Sequence, residues 1–211
     1  MKHLPNILTG LRLGLTLAVF LALLTLASHA PVEWALGRGI DPMTLQTALY
    51  FTAFFGFIVA AATDFFDGWL ARRLGATTVL GAILDPIADK VLVAGLVVGL
   101  AALGSWTTAL AGGIILFREF AVSALRETLA PRGLTLPVTL LAKWKTTLQL
   151  VALGVQLFLG GWAVWGLPRD ADLAAKASAG ASALIWLAAA VTVWTGIEYA
   201  LAARKALKTA G

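Results

Sequence analysis

The sequence predicts an all-α integral membrane protein with six transmembrane helices. Three observations carry that expectation. First, 60% of the 211 residues are hydrophobic and 13% are charged, about half the charged fraction of an average soluble domain. Second, the apolar residues gather into six stretches, 11–28, 44–72, 79–103, 106–129, 138–160 and 178–207. Each is near or above the length of about 20 residues that a helix needs to cross a bilayer. Third, Lys and Arg fall mostly at alternate ends of those stretches, as the positive-inside asymmetry of membrane proteins requires. One membrane-embedded domain over residues 1–211 accommodates all six.

The first stretch follows a short segment, Met1 to Thr9, that reads as a helix lying along the membrane surface. Ser28-His29-Ala30 resembles a small-x-small cleavage site, so a secretory signal is the alternative. Arg12 would interrupt its apolar core and argues against it. Pro31, Glu33, Arg38, Asp41 and Pro42 make 31–43 a polar loop. The second helix is apolar from Leu45 to Thr63 and polar at its end. At 1.5 Å per residue, the run from Thr44 to Asp64 covers about 30 Å, one hydrocarbon thickness. Asp64 and Asp67 therefore fall at a membrane boundary. After a turn over 73–78, the third stretch opens with Asp85 and Asp89 and ends at Gly104-Ser105. Pro131 and Gly133 stop the fourth, and Gly160-Gly161 close the fifth. A polar loop, 161–177, precedes the sixth. Gly95 and Gly99 have the GxxxG spacing of helix-pairing contacts, a candidate dimer contact. Trp34, Trp106, Trp162 and Trp165 read as interfacial anchors.

An even number of spans puts both termini on one side. Thirteen of the sixteen basic residues fall there, and Arg38, Arg169 and Lys176 fall on the other. Both termini and the turn between Asp64 and Asp89 are expected to be cytoplasmic, in the cell inner membrane. The net charge of +5 is thereby a matter of topology, not of nucleic-acid binding. The chain has no Cys, which excludes disulfides and thiolate metal sites. His3 and His29 are the only His, so a metal would be held by oxygen.

Asp64, Asp67, Asp85 and Asp89 lie within 26 positions of an otherwise apolar chain. An acid at membrane depth costs roughly 2.5–3.5 kcal/mol on insertion scales, so four together need a reason. On a helix, Asp64, Asp67, Gly68 and Ala71 share a face, with Arg72 at its edge. Gly81, Asp85 and Asp89, spaced by four, share another. Two helix ends meeting at a short turn point four carboxylates into one cleft, which the small residues keep open. Like charges about 4 Å apart repel by roughly 4 kcal/mol at an effective dielectric of 20, so protons or cations must neutralise them. Carboxylates without His or Cys suit hard ions such as Mg²⁺ or Mn²⁺, which commonly bind substrate phosphates. Helix capping with Arg72, Arg73 and Lys90 is the plainer alternative. A proton or cation transporter is another, although transport sites sit near the midplane.

The pattern D-x2-D-G-x2-A-R-x8-G-x3-D-x3-D, from Asp64 to Asp89, resembles the signature of the CDP-alcohol phosphatidyltransferases at every position. The resemblance implies six membrane helices and a homodimer. It also implies transfer of a phosphatidyl group from CDP-diacylglycerol to an alcohol, with release of CMP. By the same resemblance, Asp64, Asp67, Asp85 and Asp89 hold two ions, Mg²⁺ or Mn²⁺, and Asp89 is the general base. Gly68, Ala71, Arg72 and Gly81 would line the nucleotide pocket. Pro5-Asn6-x2-Thr9-x2-Arg12 is similar to the family's N-terminal segment, with Asn6 and Thr9 touching the nucleotide.

The acceptor is read from a second set of residues. Arg118-Glu119 and Arg126-Glu127 stand eight apart on one stretch, and Lys143-Trp144-Lys145 opens the next. Cations converging near a cleft suit an anionic acceptor, most simply a phosphomonoester. Positive-inside charge alone covers Arg118 poorly, because it lies well inside its helix. The segments R-E-x2-V-S-x-L-R-E and K-x-K-T-x2-Q resemble the phosphatidylglycerophosphate synthase branch of the family. That resemblance implies sn-glycerol 3-phosphate as acceptor, its phosphate held by Arg118, Arg126, Lys143 and Lys145, with Glu119 orienting Arg118. Cardiolipin synthases of the same fold, inositol-phosphate transferases and a non-enzymatic lipid or ion transporter are the alternatives.

Overall fold

A computed structural model describes residues 4–28, 30–74, 79–134 and 140–210. Within those helices it leaves undescribed the side chains of residues 4–6, 30–31, 64–74, 79–83, 85, 140, 142–143 and 209–210. The described residues form seven α-helices and no strand. They are α1 (Leu4–Ala27), α2 (Ala30–Leu36), α3 (Pro42–Leu74), α4 (Val79–Ala102), α5 (Trp106–Leu129), α6 (Leu140–Gly160) and α7 (Ala171–Ala210). A short 3₁₀ turn, Ala130–Arg132, follows α5. Six of the helices have 21 residues or more, about 30 Å or longer. Four described stretches are both long and apolar enough to cross a membrane: Ile7–Ala27, Pro42–Thr63, Trp106–Arg132 and Ala171–Lys208.

The long helices match the six apolar stretches, and the differences lie at their ends. α1 starts at Leu4 and runs on without a break, so the N-terminal segment continues the first span and is not a separate surface helix. Pro5 does not stop it, because a first-turn N–H has no helical partner to lose. The loop 31–43 holds the short helix α2, which begins next to Pro31. α7 starts seven residues earlier than the apolar pattern suggests. Asp170 Oδ1 accepts from the backbone N–H groups of Asp172 and Leu173, at 2.9 and 3.1 Å. That cap begins a helix in polar sequence before any apolar period appears.

α1 packs on α3 and α4, α7 packs on α5 and α6, and α4 bridges the two groups through α5 and α6. Leu23, Phe57, Leu96, Ile115, Leu153, Leu157 and Ile185 fill the core between them. Large apolar side chains such as Leu21, Phe55, Val98, Leu110 and Trp194 point outward. So much apolar surface suits lipid and not water.

Small residues set the closest approaches. A Cβ on Gly99 would lie 2.6 Å from Leu23 Cδ1, and one on Gly112 would lie 2.6 Å from Val97 Cγ2. Gly95 faces Phe20. The GxxxG pair is thus spent inside the chain, seating α1 on α4, which corrects its reading as a dimer contact. Trp165 packs back onto the bundle. It stacks on Phe158 with ring centres 5.3 Å apart, contacts Phe51 and Phe54, and donates to the Phe158 carbonyl at 2.7 Å.

Candidate functional site

A cavity of about 250 Å³ opens where α4, α5, α6 and α7 meet. α4 contributes Asp89 and Lys90, one turn beyond Pro86. α5 contributes Arg118, Glu119, Ser123 and Arg126, α6 contributes Lys145, Thr146 and Gln149, and α7 contributes Tyr199. The lining thus joins the Asp89 carboxylate and Lys90 of α4 to Arg118, Arg126 and Lys145 of α5 and α6.

Asp89 is tied to α1. Arg12, fully buried, donates from Nη1 to Asp89 Oδ1 at 2.7 Å. Thr16, one turn on, returns its hydroxyl to the Arg12 carbonyl at 2.8 Å. A buried guanidinium needs a counter-charge, and the first helix thereby becomes part of the site. The carboxylate itself is 46% exposed, so it remains open to the cavity.

Glu119 organises the cationic wall. Its Oε1 accepts from the Lys145 ammonium, from Arg118 Nη1 at 3.2 Å and from Gln149 Nε2 at 3.3 Å. Arg118 and Lys145 are 7% and 6% exposed, and Glu119 offsets one of their two positive charges. The helix α7 supplies the other half of the network. Gln149 also donates to Thr192 Oγ1 at 2.7 Å, and Arg118 Nη2 donates to Thr195 Oγ1 at 3.0 Å. Both threonines give their own protons to carbonyls of α7, so their oxygens face the network as acceptors. Tyr199 accepts from Arg126 Nη2 at 2.8 Å, and its ring lies 4.9 Å from the Arg126 guanidinium carbon and 5.4 Å from that of Arg118. The tyrosine face is electron-rich and attracts both cations.

Of the residues expected from sequence, Asp89, Arg118, Glu119, Arg126 and Lys145 come together around this one cavity. Thr9 is buried on α1, one turn before Arg12, and is not part of the cavity lining. The side chains of Asn6, Asp64, Asp67, Gly68, Ala71, Arg72, Gly81, Asp85 and Lys143 lie outside the described residues. Their helices are described: α3 carries residues 64–72, and α4 carries 81 and 85 on the way to Asp89. Sequence reasoning did not assign Arg12, Gln149, Thr192, Thr195 or Tyr199 to the site. Their one signal was polarity at membrane depth, where a polar side chain needs a partner.

The family model for CDP-alcohol phosphatidyltransferase matches residues 2–194. Three relatives carry the name CDP-diacylglycerol–glycerol-3-phosphate 3-phosphatidyltransferase. The one from Cereibacter sphaeroides is 39% identical, covering 93% of each chain. The one from Escherichia coli K12 is 35% identical, over 96% of this chain and 95% of its own. The one from Rickettsia bellii is 35% identical over 97% of both. With matches of that extent, and with Asp89 lining one cavity together with the buried Arg118 and Lys145 and the exposed Arg126, the chain belongs to the CDP-alcohol phosphatidyltransferase family.

Proposed function

We propose that the protein transfers the phosphatidyl group of CDP-diacylglycerol to sn-glycerol 3-phosphate, giving phosphatidylglycerophosphate and CMP. One observation carries this reading beyond the relatives' names. A single cavity is lined by Asp89 and by Arg118, Arg126 and Lys145. A base beside a cluster of cations suits an acceptor that has both a hydroxyl and a phosphate. A serine or choline headgroup would have no use for the cations.

The acceptor phosphate lies against Arg118, Arg126, Lys145 and Lys143, and its hydroxyl lies toward Asp89. Asp89 takes the hydroxyl proton. The oxygen then attacks the β-phosphorus of CDP-diacylglycerol, the bond from that phosphorus to the CMP oxygen breaks, and CMP leaves. Arg12 holds the carboxylate on the cavity side of α4. Asn6, Thr9, Gly68, Ala71, Arg72 and Gly81 receive the nucleotide. Asp64, Asp67 and Asp85, with Asp89, form an all-oxygen donor set that fits two divalent cations, Mg²⁺ or Mn²⁺. Arg12 takes one oxygen of Asp89, while the carboxylate is still 46% exposed and reachable. When bound there, such ions neutralise charge on a diphosphate.

All six long helices cross the inner membrane as one domain over residues 1–211. Both termini and the cavity face the cytoplasm, and the working unit is a homodimer. The lipid tails then stay in the leaflet while the diphosphate reaches water-soluble acceptor.

An acceptor panel tests the reading. Purified protein with CDP-diacylglycerol and Mg²⁺ is expected to release CMP with glycerol 3-phosphate and not with inositol phosphate, phosphatidylglycerol or serine. EDTA is expected to stop the reaction, and Mg²⁺ or Mn²⁺ to restore it. Release of CMP only with another acceptor would sink the assignment.

A further inference from the structure

We infer that Thr195 and Gly196 of α7 are positioning residues that hold Arg118 ready for the anionic acceptor and so set acceptor affinity. The inference rests on glycerol 3-phosphate being that acceptor.

Arg118 is 7% exposed and reaches across from α5 to α7. Its Nη2 donates to Thr195 Oγ1 at 3.0 Å, and its Nη1 donates to Glu119 at 3.2 Å. The Thr195 hydroxyl gives its proton to the Thr192 carbonyl at 2.9 Å, so toward Arg118 it can only accept. Thr195 itself is fully buried, and water cannot replace it. The arginine stem lies on Gly196. A Cβ there would sit 2.8 Å from Arg118 Cγ and 3.3 Å from Nε, closer than a side chain can be packed without moving the guanidinium. Glycine is among the least favourable residues for a helix interior, so its place in the middle of α7 has a local reason. Arg118 Nε is buried with no hydrogen-bond partner among the described residues, while the same side chain lines the cavity. Of the five N–H donors of the guanidinium, one on each Nη is held by the protein, so the charge at the cavity wall is set in place before an anion arrives.

A long Arg side chain loses rotamer freedom when it is ordered. Ordering it before the acceptor arrives removes that cost from binding. The effect belongs to the acceptor alone, because Thr195 and Gly196 lie behind Arg118 and outside the cavity lining.

The test compares wild type, T195V, T195S and G196A in detergent, with CMP release followed while each substrate is varied in turn. T195V is near-isosteric and removes the acceptor oxygen. Losing a hydrogen bond to a charged group predicts a rise in KM for glycerol 3-phosphate of about tenfold or more. KM for CDP-diacylglycerol is expected to stay within about twofold. T195S keeps the oxygen and should restore the wild-type KM. G196A should raise the same KM by displacing the arginine stem. Melting temperatures check the fold, and T195A replaces T195V in the comparison if the valine variant does not fold. A wild-type KM for glycerol 3-phosphate in both T195V and G196A overturns the inference, as does an equal rise for both substrates or a serine variant that fails to rescue. Wild-type protein inactive with glycerol 3-phosphate overturns the acceptor assignment along with it. An active wild type with unaltered variants overturns this inference alone.

Discussion

Arg12 and Asp89 pair across 77 positions of sequence, joining the first helix to the chemistry. Breaking a buried ion pair by removing one partner commonly costs about 3–5 kcal/mol. Here the carboxylate is 46% exposed while Arg12 is fully buried, so losing the carboxylate charge lowers the melting temperature, and what limits the loss is a substitute that still accepts from the guanidinium. Asp89→Asn should therefore stay folded, because the amide oxygen can still accept from Arg12. It cannot take a proton at neutral pH, and CMP release should drop by at least about 10²-fold, the usual contribution of a general base. Melting temperature and CMP release, measured on the same preparation, check both halves; full activity in the variant would remove Asp89 as base. Arg118→Ala should act differently, raising KM for glycerol 3-phosphate more than KM for CDP-diacylglycerol. Arg118 could be singled out in sequence because it sits too deep in its helix for ordinary positive-inside charge. Arg12 could not, since nothing local announces a partner 77 positions away. Thr192 and Thr195 were hidden for another reason. A threonine in a membrane helix usually satisfies itself on the preceding turn, so only the structure shows that their lone pairs also serve Gln149 and Arg118.

Helix–helix approach in lipid depends on small residues, because lipid tails are as apolar as the side chains. Adjacent glycines on α5 isolate this effect. A Cβ on Gly112 would come within 2.6–3.2 Å of Val97 on α4, whereas one on Gly113 meets nothing within 4 Å. Gly112→Ala is expected to separate α5 from α4 and to cost about 1–3 kcal/mol, the range for overpacking a core. Gly113→Ala should be neutral or slightly stabilising through helix propensity. Thermal unfolding in one detergent compares them, and equal behaviour of the two variants would mean that α4 and α5 do not meet at Gly112. The six long helices were legible because each carries an apolar stretch near or above the length of a membrane span. The early start of α7 was not, since hydropathy follows burial in lipid, and the Asp170 cap starts the helix before that burial begins. The partner of Gly95 and Gly99 was also unreadable: a small-residue stripe states that something packs closely, and only the fold shows that it is α1.

At the scale of the whole molecule, the Asp89 cavity, Arg118 and Lys145 stand toward one end of the bundle, with the basic end of α7 following Tyr199. α7 has 40 residues, about 60 Å of helix, longer than the roughly 30 Å hydrocarbon core. On the proposed topology its last turns leave the membrane, and they carry exposed Arg204, Lys205 and Lys208. Its opposite end follows exposed Arg169 and Asp170. Because the chain has no Cys, a single introduced thiol reports position without background. Arg169→Cys and Lys208→Cys flank the same helix and lie outside the cavity lining, so activity should persist and vouch for the fold. In intact cells, a membrane-impermeant maleimide should label Arg169→Cys and leave Lys208→Cys unlabelled until the membrane is permeabilised. The reverse pattern would place the cavity on the outer face, away from the cytoplasmic pools of acceptor phosphate. Labelling of both from one side would mean that α7 does not cross. The reverse pattern would overturn the cytoplasmic site, because Arg126 and Tyr199 pair on the side of α7 that leads to Lys208.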